Sequence, residues 1–394
     1  MNLAVGGDGT PRRVLSVIRW PVGGIRTWCK YVYRAPQFSG FQIDLLAPAG
    51  GESDVLRDDL ARSGLNARLI QTGTTSLQIA ATAMRQIALS PYSLVHSHGF
   101  TSAVICTTPT LLRHVPHLVT VHEEILEEQY RDARGRIIRV AANSALAASR
   151  CVHAVSHSSK ENLLKTFPGA RRCSGGVRVI SNGIEARRFL NAGACSIRHD
   201  LKIEPDALIV GYFGRFMAAK GFRYLIEAVR IQRDEALLNR RLVVLAVGQG
   251  GFRLEEEEVI RANGLEDRFF FLDFMPDIAS VIRAVDVVAM PSLWEASGLL
   301  AMEVLSSGVP LVASDASGLR EVCENTPARI FPRRDSRALL EALRLAASDS
   351  AKIAAVQFAP VAAKRFDADL TREKLSSLYW DLIAGSNVRE ALPD

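Results

Sequence analysis

The chain has 394 residues, 48% of them hydrophobic and 23% charged, with a net charge of +6. That balance excludes a disordered polar chain and describes a globular protein long enough for two domains. The positive excess favours anionic partners without choosing among phosphates, nucleic acid and an acidic membrane surface.

The six cysteines form no CxxC pair and read as reduced thiols. The start, MNLAVGGDGTPRR, has no charged segment followed by an apolar run, so no secretory signal is expected. No apolar run approaches the roughly 20 residues of a membrane span. The expected location is cytoplasmic, with peripheral attachment to the inner face of the plasma membrane left open.

In chain order, residues 14–18 (VLSVI) read as a strand, followed by the loop PVGGI and a helix from Arg26. Further strands are expected at 41–47 (FQIDLLA), 92–96 (YSLVH), 117–121 (HLVTV) and 151–155 (CVHAV). Residues 177–206 open with a short strand and the turn Asn182-Gly183, then become polar. The pattern restarts with strands at 207–213 (ALIVGYF), 242–247 (LVVLAV), 269–272, 285–290 and 310–313, and a helix over 222–232. Leu370, Leu375, Leu378, Tyr379 and Leu382 mark a last helix.

Short valine-rich strands alternating with helices predict an α/β protein with parallel sheets covered on both faces. Two doubly wound, Rossmann-like domains facing a cleft are expected, residues 1–200 and 201–366, with 367–394 a helical segment whose packing stays open. In such sheets ligands bind outside the carboxyl ends of the strands.

The loops at those ends carry the chemistry. GRFMAAKG, residues 214–221, places Arg215 and Lys220 between two glycines, a pattern suited to phosphate oxygens or to an ordinary solvent loop. Gly23-Gly24 before a helix suits an anion. GxGxxG and GxxxxGK[ST] fingerprints are absent, so Gly248 to Gly251 read as a turn.

After strand 285–290 comes PSLWEASGLLAME. A helix starting near Gly298 or Leu299 aims its free N–H groups at a ligand, and its dipole favours negative charge. Glu303 lies about one turn into that helix and Glu295 on the loop before it. Carboxylates beside buried strands are costly unless their oxygens are occupied. Both suit sugar hydroxyls, so the set describes a nucleotide sugar: ribose, diphosphate, hexose.

These residues carry a resemblance. PSLWEASGLLAMEVLSSGVPLVASDASGLREV resembles the signature of retaining GT-B fold glycosyltransferases with an E-x7-E motif, the family 4-like, group 1 type. GRFMAAKGFRYLIEAV, VRVISNGIEARRF, SLVHSHGF, LVTVHEE and PVGGIRTW resemble its other segments, in order over most of the chain.

The resemblance implies that Arg215 and Lys220 hold the donor diphosphate, Glu303 the ribose and Glu295 hydroxyls of the transferred sugar. Gly214 opens the loop that carries Arg215. Ser297, Gly298, Leu299 and Leu300 would line diphosphate and sugar by their backbone, Gly23 and Gly24 would close over the phosphates, and His122 would contact the sugar from the acceptor side. The departures are Ser297 where a bulkier residue is usual, Asp273 where glycine is common, and Ser181 in place of proline.

The implied activity is a retaining hexosyl transfer from a UDP- or GDP-sugar to a glycan or lipid-linked glycan, as in polysaccharide or lipopolysaccharide synthesis. No metal and no cofactor beyond the nucleotide-sugar co-substrate are expected. The alternatives are an epimerase or phosphorylase on the same scaffold and a non-catalytic sugar-nucleotide binding protein.

Arg26, Lys30 and Arg34 on one helix face, and Arg131, Arg134, Arg136 and Arg139, read as solvated faces or as contacts to anionic lipid. A nucleic-acid partner is not expected, because aromatics do not interleave these runs. Glu123, Glu124, Glu127 and Glu128 read as a solvated helix, and His96 with His98 as a structural pair rather than a metal site.

Overall fold

The computed structural model describes residues 10–62, 64–65, 67–273, 275 and 277–385. The leading segment with its VGGDG run and the residues after 385 lie outside the described residues. The chain divides into two compact units, residues 1–183 with 368–394, and residues 184–367. The division thus falls after Gly183 rather than near residue 200, and the C-terminal segment joins the first unit.

The first unit is built on a seven-stranded parallel sheet: β1 (Arg12–Ile18), β2 (Phe41–Pro48), β3 (Ala67–Thr72), β4 (Leu94–His98), β5 (His117–Val121), β6 (Cys151–Ala154) and β7 (Val177–Val179). The spatial order is β3-β2-β1-β4-β5-β6-β7, so the winding reverses between β1 and β4. β4 runs two residues further than the apolar pattern suggested, because its polar end, Ser97 and His98, is buried.

Register explains that polar end. Ser16 on β1 pairs with His96 on β4, His98 with Thr120 on β5, and Thr120 with His153 on β6. Side chains alternate along a strand, so these residues share one face of the sheet. Lower on the same face lie Val14, Leu94, Leu118 and Cys151, in one core with Trp28 of the helix Gly24–Val32 and with Leu375, Leu378, Tyr379 and Leu382.

Those last four stand at i, i+3, i+4 and i+7 on the helix Ala368–Ile383, an apolar stripe whose burial contributes about 1.5–3 kcal/mol per large side chain. The helix packs on the first unit although it follows the second in sequence.

The second unit holds a six-stranded parallel sheet: β8 (Leu208–Phe213), β9 (Leu242–Val247), β10 (Phe269–Leu272), β11 (Val287–Met290), β12 (Leu311–Ser314) and β13 (Arg329–Phe331). Its order, β10-β9-β8-β11-β12-β13, reverses between β8 and β11. β8 feeds the helix Phe222–Glu235, and β11 feeds the helix Leu299–Ser307.

The latter helix is apolar nearly all round and buried from Ala301 to Ser307, against the helices Asp349–Arg365 and Ala186–Leu190. A helix without a polar face is one that the fold encloses. Among the described residues no helix is long and apolar enough to cross a membrane.

Candidate functional site

In the second unit the loops after β8, β9 and β11 meet at the switch point. The Gly214 N–H donates to the Val247 carbonyl at 3.0 Å, Phe216 N–H to Gln249 at 3.0 Å, and Leu293 N–H to Ala219 at 2.7 Å. Two glycines make this approach feasible. A Cβ on Gly248 would stand 2.0 Å from the Gly214 oxygen, and one on Gly221, which has φ +63°, would stand 2.0 Å from the Pro291 oxygen. Any side chain there would push the loops apart.

Backbone contact brings the two sequence motifs together. Lys220 Nζ forms a salt bridge with Glu295 Oε1, and the Ser292 hydroxyl donates to the same oxygen at 3.1 Å. Both side chains are largely buried, so the pair satisfies much of the cost of placing Glu295 near the strands. Arg215 is exposed, its carbonyl accepting from the Tyr212 hydroxyl at 3.2 Å.

The 291–298 loop is held from its far side. Arg333 donates to the Leu293 carbonyl at 3.0 Å and to Asp315 at 3.1 Å, and Gly318 N–H donates to the Glu295 carbonyl at 3.0 Å. Gly298 is the N-cap of the helix Leu299–Ser307 and gives it no side-chain cap. The first-turn N–H groups, those of Leu299 and Leu300 among them, have no acceptor within the helix and form a positive terminus. Ser297 is buried beside it, and Glu303 is buried one turn on.

The structure therefore gathers Gly214, Arg215, Lys220, Glu295, Ser297, Gly298, Leu299, Leu300 and Glu303 on the loops and helix that follow β8 and β11. Asp273 turns outward and pairs with Arg253 at 2.9 Å. Arg333 and Ser292 were not singled out from sequence; their positioning role depends on neighbours that the chain brings from elsewhere.

In the first unit Gly23 is the N-cap of the helix Gly24–Val32, without a side-chain cap, and its carbonyl accepts from Thr27 N–H at 3.1 Å. His122 follows β5. Its Nε2 lies 2.8 Å from His98 Nδ1, and the two rings stack at 5.1 Å. Trp28 packs edge-on against both, at 5.2 and 5.0 Å.

Behind them lies a buried polar network that sequence reasoning reached only through His96, His98 and His122. It adds Ser16, Tyr33, Thr120, His153 and Tyr379. The signal available was the recurrence of His, Ser and Thr near the carboxyl ends of neighbouring strands. Burial holds His96, His98 and His122 well below the ordinary imidazole value, with adjacent imidazoles adding to the effect. Burial lowers His117 and His153 to about 4. All five are neutral at pH 7.

Other charged runs take definite places. Arg26 pairs with Glu52 at 2.5 Å, and Trp28 and Tyr31, beside the Arg26-Lys30-Arg34 face, are buried. Glu127 and Glu128 sit in a short 3-10 turn rather than a regular helix, and Glu127 pairs with Lys165 at 3.0 Å. Among the described residues no three His, Cys, Asp or Glu side chains form a metal-holding group.

Two parallel α/β sheets, each with its candidate loops at a switch point, define a GT-B glycosyltransferase fold. The description Glycosyltransferase Family 4 matches residues 22–188, and Glycosyl transferases group 1 matches residues 196–364. The chain belongs to this glycosyltransferase family.

A D-inositol 3-phosphate glycosyltransferase of Corynebacterium urealyticum is 29% identical over 76% of this chain and 73% of its own length. A 2-deoxystreptamine N-acetyl-D-glucosaminyltransferase of Streptomyces fradiae is 26% identical over 85% of this chain and 86% of its own. The structure of Anabaena HepE in complex with UDP-glucose superposes with a TM-score of 0.78 at 20% identity, covering 94% of this chain and 99% of that one. It shares the fold.

Proposed function

We propose that the protein transfers a hexose from a UDP- or GDP-sugar to a glycan or lipid-linked glycan, with retention of anomeric configuration and without a metal ion. The observation that carries the reading is the junction of Lys220, Glu295 and an uncapped helix N-terminus at the β8–β11 switch point. A cation and a positive helix end suit a diphosphate; the buried carboxylates Glu295 and Glu303 suit sugar hydroxyls.

In this reading Arg215 and Lys220 stabilise the charge that develops on the leaving nucleotide, and the N–H groups of Leu299 and Leu300 add to it. Lys220 then divides its hydrogen bonds between phosphate and Glu295, which orients the carboxylate toward the sugar. In the first unit, Gly23 and Gly24 form another uncapped helix start of a kind that suits an anion, and His122 suits a sugar hydroxyl. The acceptor attacks on the face from which the diphosphate departs, and a donor phosphate oxygen takes its proton.

Two relatives, named a D-inositol 3-phosphate glycosyltransferase and a 2-deoxystreptamine N-acetyl-D-glucosaminyltransferase, and a shared fold with a UDP-glucose complex support a nucleotide-sugar donor. A lipid-linked acceptor is supported by one surface. The first two turns of the helix Ala133–Ala148 expose Ile137, Ile138 and Val140 with Arg134, Arg136 and Arg139. Apolar tips among arginines suit an anionic bilayer face.

Thermal unfolding with UDP, GDP, ADP or NAD at millimolar concentration tests the donor site. A ligand at about a hundred times its Kd adds about 2.7 kcal/mol and moves the midpoint by a few degrees. A shift with one nucleoside diphosphate, lost in Glu303→Ala, is expected. A shift with NAD alone would overturn the reading.

A further inference from the structure

The polar ladder of the first unit is a hydrogen-bonded chain with one fixed end. His153 Nε2 lies 2.9 Å from the Ile180 carbonyl oxygen. A carbonyl only accepts, so Nε2 carries the proton and His153 Nδ1 is bare. The Thr120 hydroxyl, 2.9 Å away, donates to that Nδ1. With its proton committed, Thr120 accepts from His96 Nε2 at 2.6 Å, which leaves His96 Nδ1 bare. Tyr379 donates to it at 2.5 Å.

The sense then propagates. Tyr379 accepts from Tyr33 at 3.1 Å, Tyr33 from Ser16 at 3.0 Å, and Ser16 from His98 Nε2 at 3.0 Å. His98 Nδ1 is thereby bare and accepts from His122 Nε2 at 2.8 Å. Every hydroxyl in this arrangement gives one hydrogen bond and takes one.

The reverse sense at His122 fails a proton count. Were His98 Nδ1 to donate, its Nε2 would need a proton from Ser16 at 3.0 Å or from Tyr33 at 3.3 Å. Either the Ser16–Tyr33 contact at 3.0 Å or the Tyr33–Tyr379 contact at 3.1 Å would then bring two oxygens together with no proton between them. In a buried site that costs more than the alternative. Ser16, His96, Thr120 and His153 are fully buried.

We propose that Ser16, Tyr33, His96, Thr120, His153 and Tyr379 are positioning residues that hold His122 as its Nε2–H tautomer, leaving Nδ1 as a hydrogen-bond acceptor that selects a sugar hydroxyl over an anion. Among the described residues nothing else bonds to His122 Nδ1. A neutral imidazole lone pair accepts a hydrogen bond from a hydroxyl and repels a phosphate oxygen. The ligand half of this inference rests on the transferase reading; the tautomer half does not.

Tyr33 is the hub. In Tyr33→Phe the Ser16 hydroxyl loses its acceptor and is free to donate to His98 Nε2. His98 then donates from Nδ1, and His122 inverts to its Nδ1–H form. In Tyr379→Phe, by contrast, Tyr33 can donate to His96 Nδ1 directly across 3.1 Å, and the sense survives.

The test is nitrogen NMR of the full-length protein with labelled histidine at pH 7.5, His122 being assigned by its loss in His122→Gln. The Nε2–H form is expected in the wild type and in Tyr379→Phe, and the Nδ1–H form in Tyr33→Phe. An Nδ1–H His122 in the wild type overturns the proposal whatever the activity. For the ligand half, Tyr33→Phe should bind UDP-glucose about tenfold more weakly and UDP unchanged, one such lost hydrogen bond being worth a factor of that order. Equal losses for UDP and UDP-glucose overturn that half. The expected tautomers in a protein that binds neither nucleotide support the network and count against the donor reading alone.

Discussion

Acid should weaken the first unit well before its carboxylates titrate. His117 and His153 are buried and neutral, with values lowered from 6.5 to about 4. Between those two values the unfolded chain binds protons that the folded unit refuses, so stability rises with pH and is lost as pH falls below about 6.5. At pH 5.5 each of the two costs about 1.4 kcal/mol, about 3 kcal/mol together, against a total of about 5–15 kcal/mol for an ordinary domain.

His96 and His98, also buried and lowered, act in the same direction. Asp44 does not confuse the window. Burial raises its carboxyl, but hydrogen bonds from Tyr92, Arg13 and Arg68 outweigh this and hold it below 3.8, so it contributes only at lower pH. The assay is urea unfolding at pH 7.5, 6.5 and 5.5, followed by tryptophan fluorescence. Trp20, Trp28 and Trp380 belong to the first unit, and a Trp294→Phe background silences the second. The unfolding free energy should fall by at least about 3 kcal/mol between pH 7.5 and 5.5, and His117→Gln should remove about half of that share. A stability that is flat or rising over this interval would refute the burial argument.

Gly221→Ala should damage the donor loops more than the fold. A left-handed backbone costs an L-residue about 1–2 kcal/mol, and the new Cβ would displace the Pro291 carbonyl and with it Glu295. UDP-sugar affinity is expected to drop at least about tenfold while the chain stays folded; unchanged affinity by calorimetry would show that the β8 and β11 loops need not touch. For the membrane surface, pelleting with vesicles containing anionic lipid should exceed that with neutral vesicles and weaken with salt. The double change Ile137→Ser, Ile138→Ser should reduce it by more than about tenfold, since each isoleucine buries about 1.5–3 kcal/mol of apolar surface. Equal pelleting with both vesicle types would rule out the anionic bilayer.

Local pattern sufficed where a strand was a continuous apolar run, as in the central strand β9, and β5 fell on the residues that the sequence indicated although Thr120 interrupts its run. β3 and β13 were not foreseen: both are edge strands, and ARLIQT and RIF, unlike the edge strand FFFL, carry too few apolar residues to stand out. The donor loops were legible because their chemistry is local: glycines, a lysine, two glutamates and a helix start lie within short stretches.

The histidine network was not legible as a unit. Tyr33 and Tyr379 bond across 346 positions of sequence, and Ser16, His96, Thr120 and His153 meet only through the register of four strands. The sequence by itself determined the strand and helix alternation and the residues at the strand ends. Tertiary structure alone decided that the last helix, an amphipathic stripe able to cover any apolar face, closes the first sheet and supplies Tyr379. A hydrophobic stripe specifies burial but not a partner; hydrogen bonds made after docking select one.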